Sequence, residues 1–302
     1  MSARRRTRRP APPADARPGF KVIGRGEEAP APLRPSTWKR PGVPTVMIAS
    51  GKGGVGKSNL AANLAVALAE REARILLVDA DLAQANLDLL LGLHPRFDLR
   101  HVLAGEKTPE EIVIQGPAGV RLVPAASGVP DLTELDDFRR EFLLRSLGHL
   151  TNDVDLMILD LPSGVSRHVT EMCAAGDEVV IVTTPEMAAF SDAYALIRLL
   201  HQRGWSHPIR LVVSQASSPE EATETAQRIR LVARRFLRLD VEPLGAVPFD
   251  PSVMRAVRRQ EPVVTAFPGS PAALAYRALA AQLWNSPSTA PPSERFPQRL
   301  EA

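Results

Sequence analysis

The chain has 302 residues, 44% of them hydrophobic, enough for one large or two ordinary domains with a sizeable core. Its single cysteine, Cys173, excludes an internal disulfide framework, its six scattered histidines lack the spacing of a structural zinc site, and it has no run of roughly 18 apolar residues to span a membrane, so the reducing cytoplasm is the expected compartment. The formal charge of +3 is uneven, because residues 1–43 hold eleven Arg or Lys against three Asp or Glu and leave the rest at about −5.

Nine prolines up to Pro44 and the cluster Arg4, Arg5, Arg6, Arg8 and Arg9 predict a disordered basic tail over residues 1–43. Prolines follow the arginines where a secretion signal would carry an apolar core, so no such signal is expected. A dense cationic run of this kind either stays solvated or makes weak contact with nucleic-acid phosphates or anionic lipid.

After the first apolar run, "TVMIAS" (45–50), the segment Gly51-Lys52-Gly53-Gly54-Val55-Gly56-Lys57-Ser58 satisfies G-x-x-x-x-G-K-[ST] between a strand and a helix. Glycines let backbone amides wrap a phosphate, the helix N-terminus adds positive potential, Lys57 reaches the β- and γ-phosphates, and the Ser58 hydroxyl ligates magnesium. Lys52 is surplus to that chemistry. In the following helix Leu60, Leu64, Ala67 and Leu68 form one stripe, expected to bury one face on a sheet.

The runs "RILLVD", "VRLVPA", "DLMILD", "EVVIVTT", "IRLVVS" and "EPLGAVPF" are each continuous enough to be buried on both faces, and they alternate with helical patterns. The expectation is an α/β fold: a single three-layer P-loop domain over residues 44–285, with a mostly parallel sheet and helices on both faces. "RILLVD" leads into Asp79 and Asp81, which strand alternation points the same way at the ligand end of a parallel sheet. "DLMILD" closes on Asp160, read as the carboxylate that holds a metal through water, with Gly164 in the turn beyond it.

Ala222, Ala226, Ile229 and Ala233 form a second helical stripe, opened by Glu220, Glu221 and Glu224 and closed by Arg234, Arg235 and Arg238, the charge order that complements a helix dipole. "MRAVRRQ" (254–260) offers a small basic face without the aromatic interleaving that base stacking needs. "PAALAYRALAAQLWN" (271–285) is amphipathic with Arg277 as its one cation, so it reads as a last helix packed on the domain and not as a membrane anchor. Pro287, Pro291, Pro292 and Pro297 break any continuation, and residues 286–302 are expected to form a second disordered tail, where Phe296 and Leu300 beside Arg295 and Arg299 offer a weak interfacial contact.

"KGGVGKS" resembles the deviant Walker A loop of the MinD/ParA class of ATPases. In that class the first lysine crosses to the partner subunit's nucleotide, which for this chain implies an ATP-dependent homodimer with Lys52 acting in trans. "GKSNLAANLA", "DADLAQANLDLLLGL", "GPAGVRLVPAASGV", "VVIVTTPEMAAFSDAYALI" and "LGAVPFDPSVMRAVRRQEPV" are similar to the FlhG family, also called FleN or YlxH, across about residues 44–285. The resemblance implies ATP and Mg2+ as cofactors. It implies that Gly51 to Ser58 and Asn59 hold the nucleotide, that Ser58, Asp79 and Asp160 organise magnesium, and that Asp81 orients the attacking water. Ser214 falls near the base, and Pro248, Phe249 and Asp250 against adenine.

Three stretches depart from the family. Residues 1–43 lack the Asp-Gln-Ala activator motif for the partner GTPase FlhF, Ser214-Gln215 stands where an Asn is usual, and Asp160-Leu161-Pro162-Ser163-Gly164 replaces Asp-Thr-Ala-Ala-Gly. The implied function is an ATP-binding, slowly hydrolysing dimerisation switch that sets flagellum number or placement with protein partners of a spatial-regulation system. A ParA-like partitioning ATPase riding on DNA and a MinD-like division-site regulator are the alternatives. An iron–sulfur carrier of the same superfamily needs paired cysteines, and a bacterial tyrosine kinase needs a tyrosine-rich tail where only Tyr194 and Tyr276 exist. The expected location is cytoplasmic, with peripheral contact at the inner membrane face through the basic N-terminus.

Overall fold

Along the strand at residues 45–50, Val46 and Ile48 enter one apolar core while Met47 and Ala49 enter another, so each face of the sheet is sealed by its own set of side chains. The computed structural model describes residues 42–82, 84–125 and 137–286, and the expectations for the two tails fall almost wholly outside them. The described elements are β1 (Thr45–Ser50), α1 (Lys57–Ala69), β2 (Ile75–Asp79), α2 (Leu87–Leu90), α3 (Leu99–Leu103), α4 (Pro109–Ile112) and β3 (Ile114–Gln115). There follow β4 (Arg121–Val123), α5 (Asp137–His149), β5 (Leu156–Ser163), α6 (Arg167–Cys173), β6 (Glu178–Thr183) and α7 (Met187–Gln202). The order closes with β7 (Ile209–Ala216), α8 (Pro219–Leu237), β8 (Glu242–Pro248), α9 (Pro251–Arg259), α10 (Val263–Ala266) and α11 (Pro271–Trp284).

The sheet runs β3-β4-β2-β5-β1-β6-β7-β8, parallel throughout except for the short β3, which pairs antiparallel to β4. From β1 the chain moves outward to β2 on one side and later to β6, β7 and β8 on the other. The strand order therefore reverses beside β1, and the crevice at a reversal is where an open α/β sheet takes its ligand.

Three expectations need correction. β8 is not buried on both faces: it is an edge strand paired only with β7, and Leu244 and Val247 are its fully buried apolar side chains. α1 buries far more than one face, with every residue from Leu60 to Ala69 buried, because α11 and α10 cover the side turned away from the sheet. Its small alanines let them approach. Asn63, buried among them, donates to the Asn59 carbonyl and accepts from the Val264 amide, which ties α1 to α10. β5 continues past Asp160 to Ser163, since its pairing with β1 runs on to Ser50, so Asp160 lies inside a strand and not at its tip.

As expected, α11 packs on the domain through Ala272, Ala273, Tyr276, Leu279, Ala280 and Leu283, and Arg277 is spent inward on Glu70 and on the Val264 and Pro268 carbonyls. Cys173 at the end of α6 is fully buried, and burial pushes its thiol up to about 12. Among the described residues no helix is long and apolar enough to cross a membrane.

Candidate nucleotide site

The loop between β1 and α1 has a shape that only glycine allows at two points. At Gly56, which caps α1 with φ 90°, the left-handed backbone turns the chain into the helix. At Gly51 a methyl group would lie 2.3 Å from the Asp192 backbone, because α7 crosses there. The chain direction leaves the first amides of α1 facing the mouth of the crevice, the arrangement that binds anions.

Lys57, the first residue of α1, is buried and lies 2.7 Å from Asp160 Oδ1 and 3.9 Å from Asp81 Oδ2. Burial raises the Asp160 carboxyl, and the neighbouring Lys57 ammonium and Ser58 hydroxyl pull it back down. The second oxygen of Asp160 is buried with no hydrogen-bond partner among the described residues. Asp160 does not cap the helix after it; Ser166 does, by accepting from the Val169 amide.

Asp79 and Asp81 do not share a direction. β2 stops at Asp79, whose Oδ1 accepts from the Asp81 amide (3.2 Å) and whose Oδ2 accepts from the Asn86 (2.9 Å) and Leu87 (3.0 Å) amides. Burial and the adjacent Asp160 push the Asp79 carboxyl up to about 7 against those amides. Asp81 instead reaches the cavity wall, where its Oδ1 accepts from the Gln84 amide.

The cavity measures about 510 Å³, a size that suits a nucleotide. Gly53, Gly54, Gly56, Lys57, Ser58 and Asn59 line it, as do Ser214, Pro248, Phe249 and Asp250, with Ser214 lying beside Gly56. Gly51, Lys52, Val55, Asp79 and Asp160 do not line it. Gly51 lies under α7, Val55 is in the core, and Lys52 stands on the rim with Glu186 2.7 Å away. The Asp250 carboxylate is committed to the Ser252 and Ala272 amides.

A P-loop of this shape, on a parallel sheet in this order, invites comparison with known proteins. The ParA family model, described as an NUBPL iron-transfer P-loop NTPase, matches residues 43–284. The chain belongs to the MinD/ParA family of P-loop NTPases. It is 37% identical over 261 residues to the antiactivator FleN of Pseudomonas aeruginosa, covering 85% of this chain and 93% of that one. It is 33% identical over 224 residues to the flagellum site-determining protein YlxH of Helicobacter pylori, covering 72% and 73%. The septum site-determining protein MinD from Pyrococcus horikoshii, solved with Mg-ADP, superposes with a TM-score of 0.69 at 28% identity, covering 80% of this chain and 96% of that one.

For a MinD/ParA NTPase the donor set here fits magnesium. A hard cation takes oxygen ligands, and the unpartnered Asp160 oxygen beside the Ser58 hydroxyl supplies that chemistry next to the phosphate end. The departures from the family pattern also have places. Leu161 is sealed in the core, leaving Ser163 to line the cavity. Gln215 adopts φ 58° and its side-chain amide donates to the Gly54 carbonyl, so it braces the P-loop.

Sequence reasoning missed Gln84, Asn86, Tyr276 and Val253, which line the cavity; Met254 and Val257 of α9 line it too, in a stretch read only as a basic face near the adenine side. For α9 a signal existed, since Val253 and Val257 are one turn apart, but the arginines between and after them drew the reading toward a basic face. Tyr276 gave none, being one apolar position of a core helix.

Proposed function

We propose that this MinD/ParA NTPase is an ATP-dependent dimerisation switch of the FleN/YlxH type, hydrolysing ATP slowly and regulating flagellum number or placement through protein partners. The observation that carries the reading is the split between its two loop lysines. Lys57 is buried at the phosphate end, whereas Lys52 stands outside the cavity, 39% exposed, able to face a second molecule. The likeness to FleN over 85% of the chain supports the same reading.

In this proposal the loop amides and Lys57 hold the phosphates, and Lys57 leaves Asp160 for them. Ser58 and Asp160 would hold Mg2+, which would supply positive charge to offset that of the phosphates. Ser214, Pro248, Phe249 and Asp250 sit on the adenine side. Asp81 orients the attacking water and holds its proton by hydrogen bond at a carboxylate oxygen. Lys52 of a second copy completes the charge around the γ-phosphate, so turnover waits on dimerisation and is slow without it. Location is cytoplasmic, with any contact at the inner membrane face made by residues 1–43.

Light scattering of the purified protein with ATP, and with ADP, tests the switch: dimer with ATP and monomer with ADP is expected, and a monomer under both conditions overturns it. Counting flagella in a deletion strain of the host tests the cellular role, and unchanged number and placement overturns that part. Salt-sensitive DNA binding that requires ATP would favour a ParA-like partition role instead.

A further inference from the structure

The turn between β2 and α2 hangs on one carboxylate. Asp79 is 1% exposed, and its two oxygens accept three backbone amides: Asp81 at the start of the turn, Asn86 and Leu87 at its end. Asp81, Gln84 and Asn86 reach the cavity from this turn, while Asp79 stays behind the wall. α2 has four residues and its cap, Asn86, makes no side-chain capping bond, so the two amides that open it depend on Asp79. A second support is apolar, with Leu82, Ala85 and Leu87 all buried in the cores.

We infer that Asp79 is a positioning residue, a clamp that fixes Asp81 at the phosphate end of the cavity, and not a ligand of the metal. A carboxylate has about four acceptor sites, and backbone amides of its own turn take three of those on Asp79, including both on Oδ2. Among the described residues of this site, two buried oxygens lack a hydrogen-bond partner: Oδ2 of Asp160, the neighbour of Asp79 in register on β5, and Oδ1 of Asn86. Three backbone amides converging on one buried carboxyl tie the start of the turn to its end. This rests on the proposed ATPase only for its catalytic consequence.

The test is Asp79→Asn in the full-length protein. The amide keeps one acceptor oxygen and the apolar seat remains, so the fold survives while the clamp loosens. Hydrogen exchange of the nucleotide-free protein should show the Asn86 and Leu87 amides exchanging at least about ten-fold faster than in the parent, with β1 and α1 unchanged. Turnover should fall by about ten-fold or more, with ATP affinity and the magnesium concentration at half-saturation both within about two-fold. Asp160→Asn should do the reverse, raising the magnesium requirement and leaving exchange at Asn86 and Leu87 alone. Unchanged exchange at those two amides in Asp79→Asn, or a magnesium requirement raised about ten-fold, overturns the clamp. Exchange needs no ATP, so it reads the clamp even if the parent protein proves not to hydrolyse ATP, and the two readings fail separately.

Discussion

Lys52 Nζ lies 2.7 Å from Glu186 Oε2 of the same chain, across the rim of the nucleotide site. Both side chains are substantially exposed, and an ion pair of that kind is worth less than about 1 kcal/mol. In the proposed dimer a partner's phosphate would therefore outcompete it easily. Glu186→Gln should shift the ATP-driven monomer–dimer midpoint by no more than about five-fold toward the dimer, that energy expressed as a ratio. In an Asp81→Ala background that slows hydrolysis, Lys52→Ala should keep ATP affinity within about three-fold yet fail to dimerise, since Lys57 and the loop amides remain. Full dimerisation of Lys52→Ala by light scattering would return Lys52 to an ordinary surface role.

The Lys57–Asp160 contact makes a second substitution informative in the absence of nucleotide. Removing Lys57 strands a fully buried carboxylate, so Lys57→Ala should lose ATP binding and also about 3 kcal/mol of stability in urea unfolding. Asp160, raised by burial even with Lys57 beside it and more so without that cation, binds a proton more readily folded than unfolded. Stability is then retained at low pH and lost as pH rises, so the deficit should be larger at neutral pH than in mild acid. The double variant Lys57→Ala, Asp160→Asn should regain most of the stability and none of the binding. Equal deficits at both pH values would show that the carboxylate is not the source.

Two glycines of one motif should behave differently. Gly51→Ala places a carbon 2.3 Å from the Asp192 backbone and should destabilise the protein by about 2 kcal/mol in thermal unfolding. Gly53 has open space around it, so Gly53→Ala should stay within about 0.5 kcal/mol of the parent. Any loss of ATP affinity in Gly53→Ala then measures contact with the nucleotide itself. Comparable destabilisation by the two changes would contradict this geometry.

Asp250 links α9 to α11 through the Ser252 and Ala272 amides. Burial pushes its carboxyl up, but the Ala272 and Ser252 amides outweigh it and hold the group below its ordinary 3.8. A depressed folded value means the stabilisation is present above 3.8 and fades as pH falls through the lower folded value. Asp250→Asn should therefore cost about 1 kcal/mol at neutral pH, and the gap in melting temperature to the parent should narrow below pH 3.8. A gap that stays constant in acid would rule the carboxylate out.

The P-loop and the strands around it were legible because their signals are local: glycines at fixed spacing, then a lysine and a serine, between an apolar run and a helical stripe. What period-two alternation could not show is that β2 ends at Asp79, after which the chain folds back and separates that residue from Asp81. Burial was misjudged where tertiary neighbours decide it. Nothing within α1 says that α11, two hundred residues later, covers its outer side, and nothing within "EPLGAVPF" says that no strand follows it in the sheet. Gln215 shows the same limit, since its hold on Gly54 depends on a bulge between β7 and β8.

The sealing of Cys173 has a practical side. It is the chain's only sulfhydryl, fully buried and held at about 12, so maleimide reagents should leave the native protein unlabelled at neutral pH. Met187 opens α7 beside Glu186 and is 67% exposed. Met187→Cys would thus give one reactive handle at the rim, where a single fluorophore per molecule could report a second copy arriving, without first stripping the protein of background thiols.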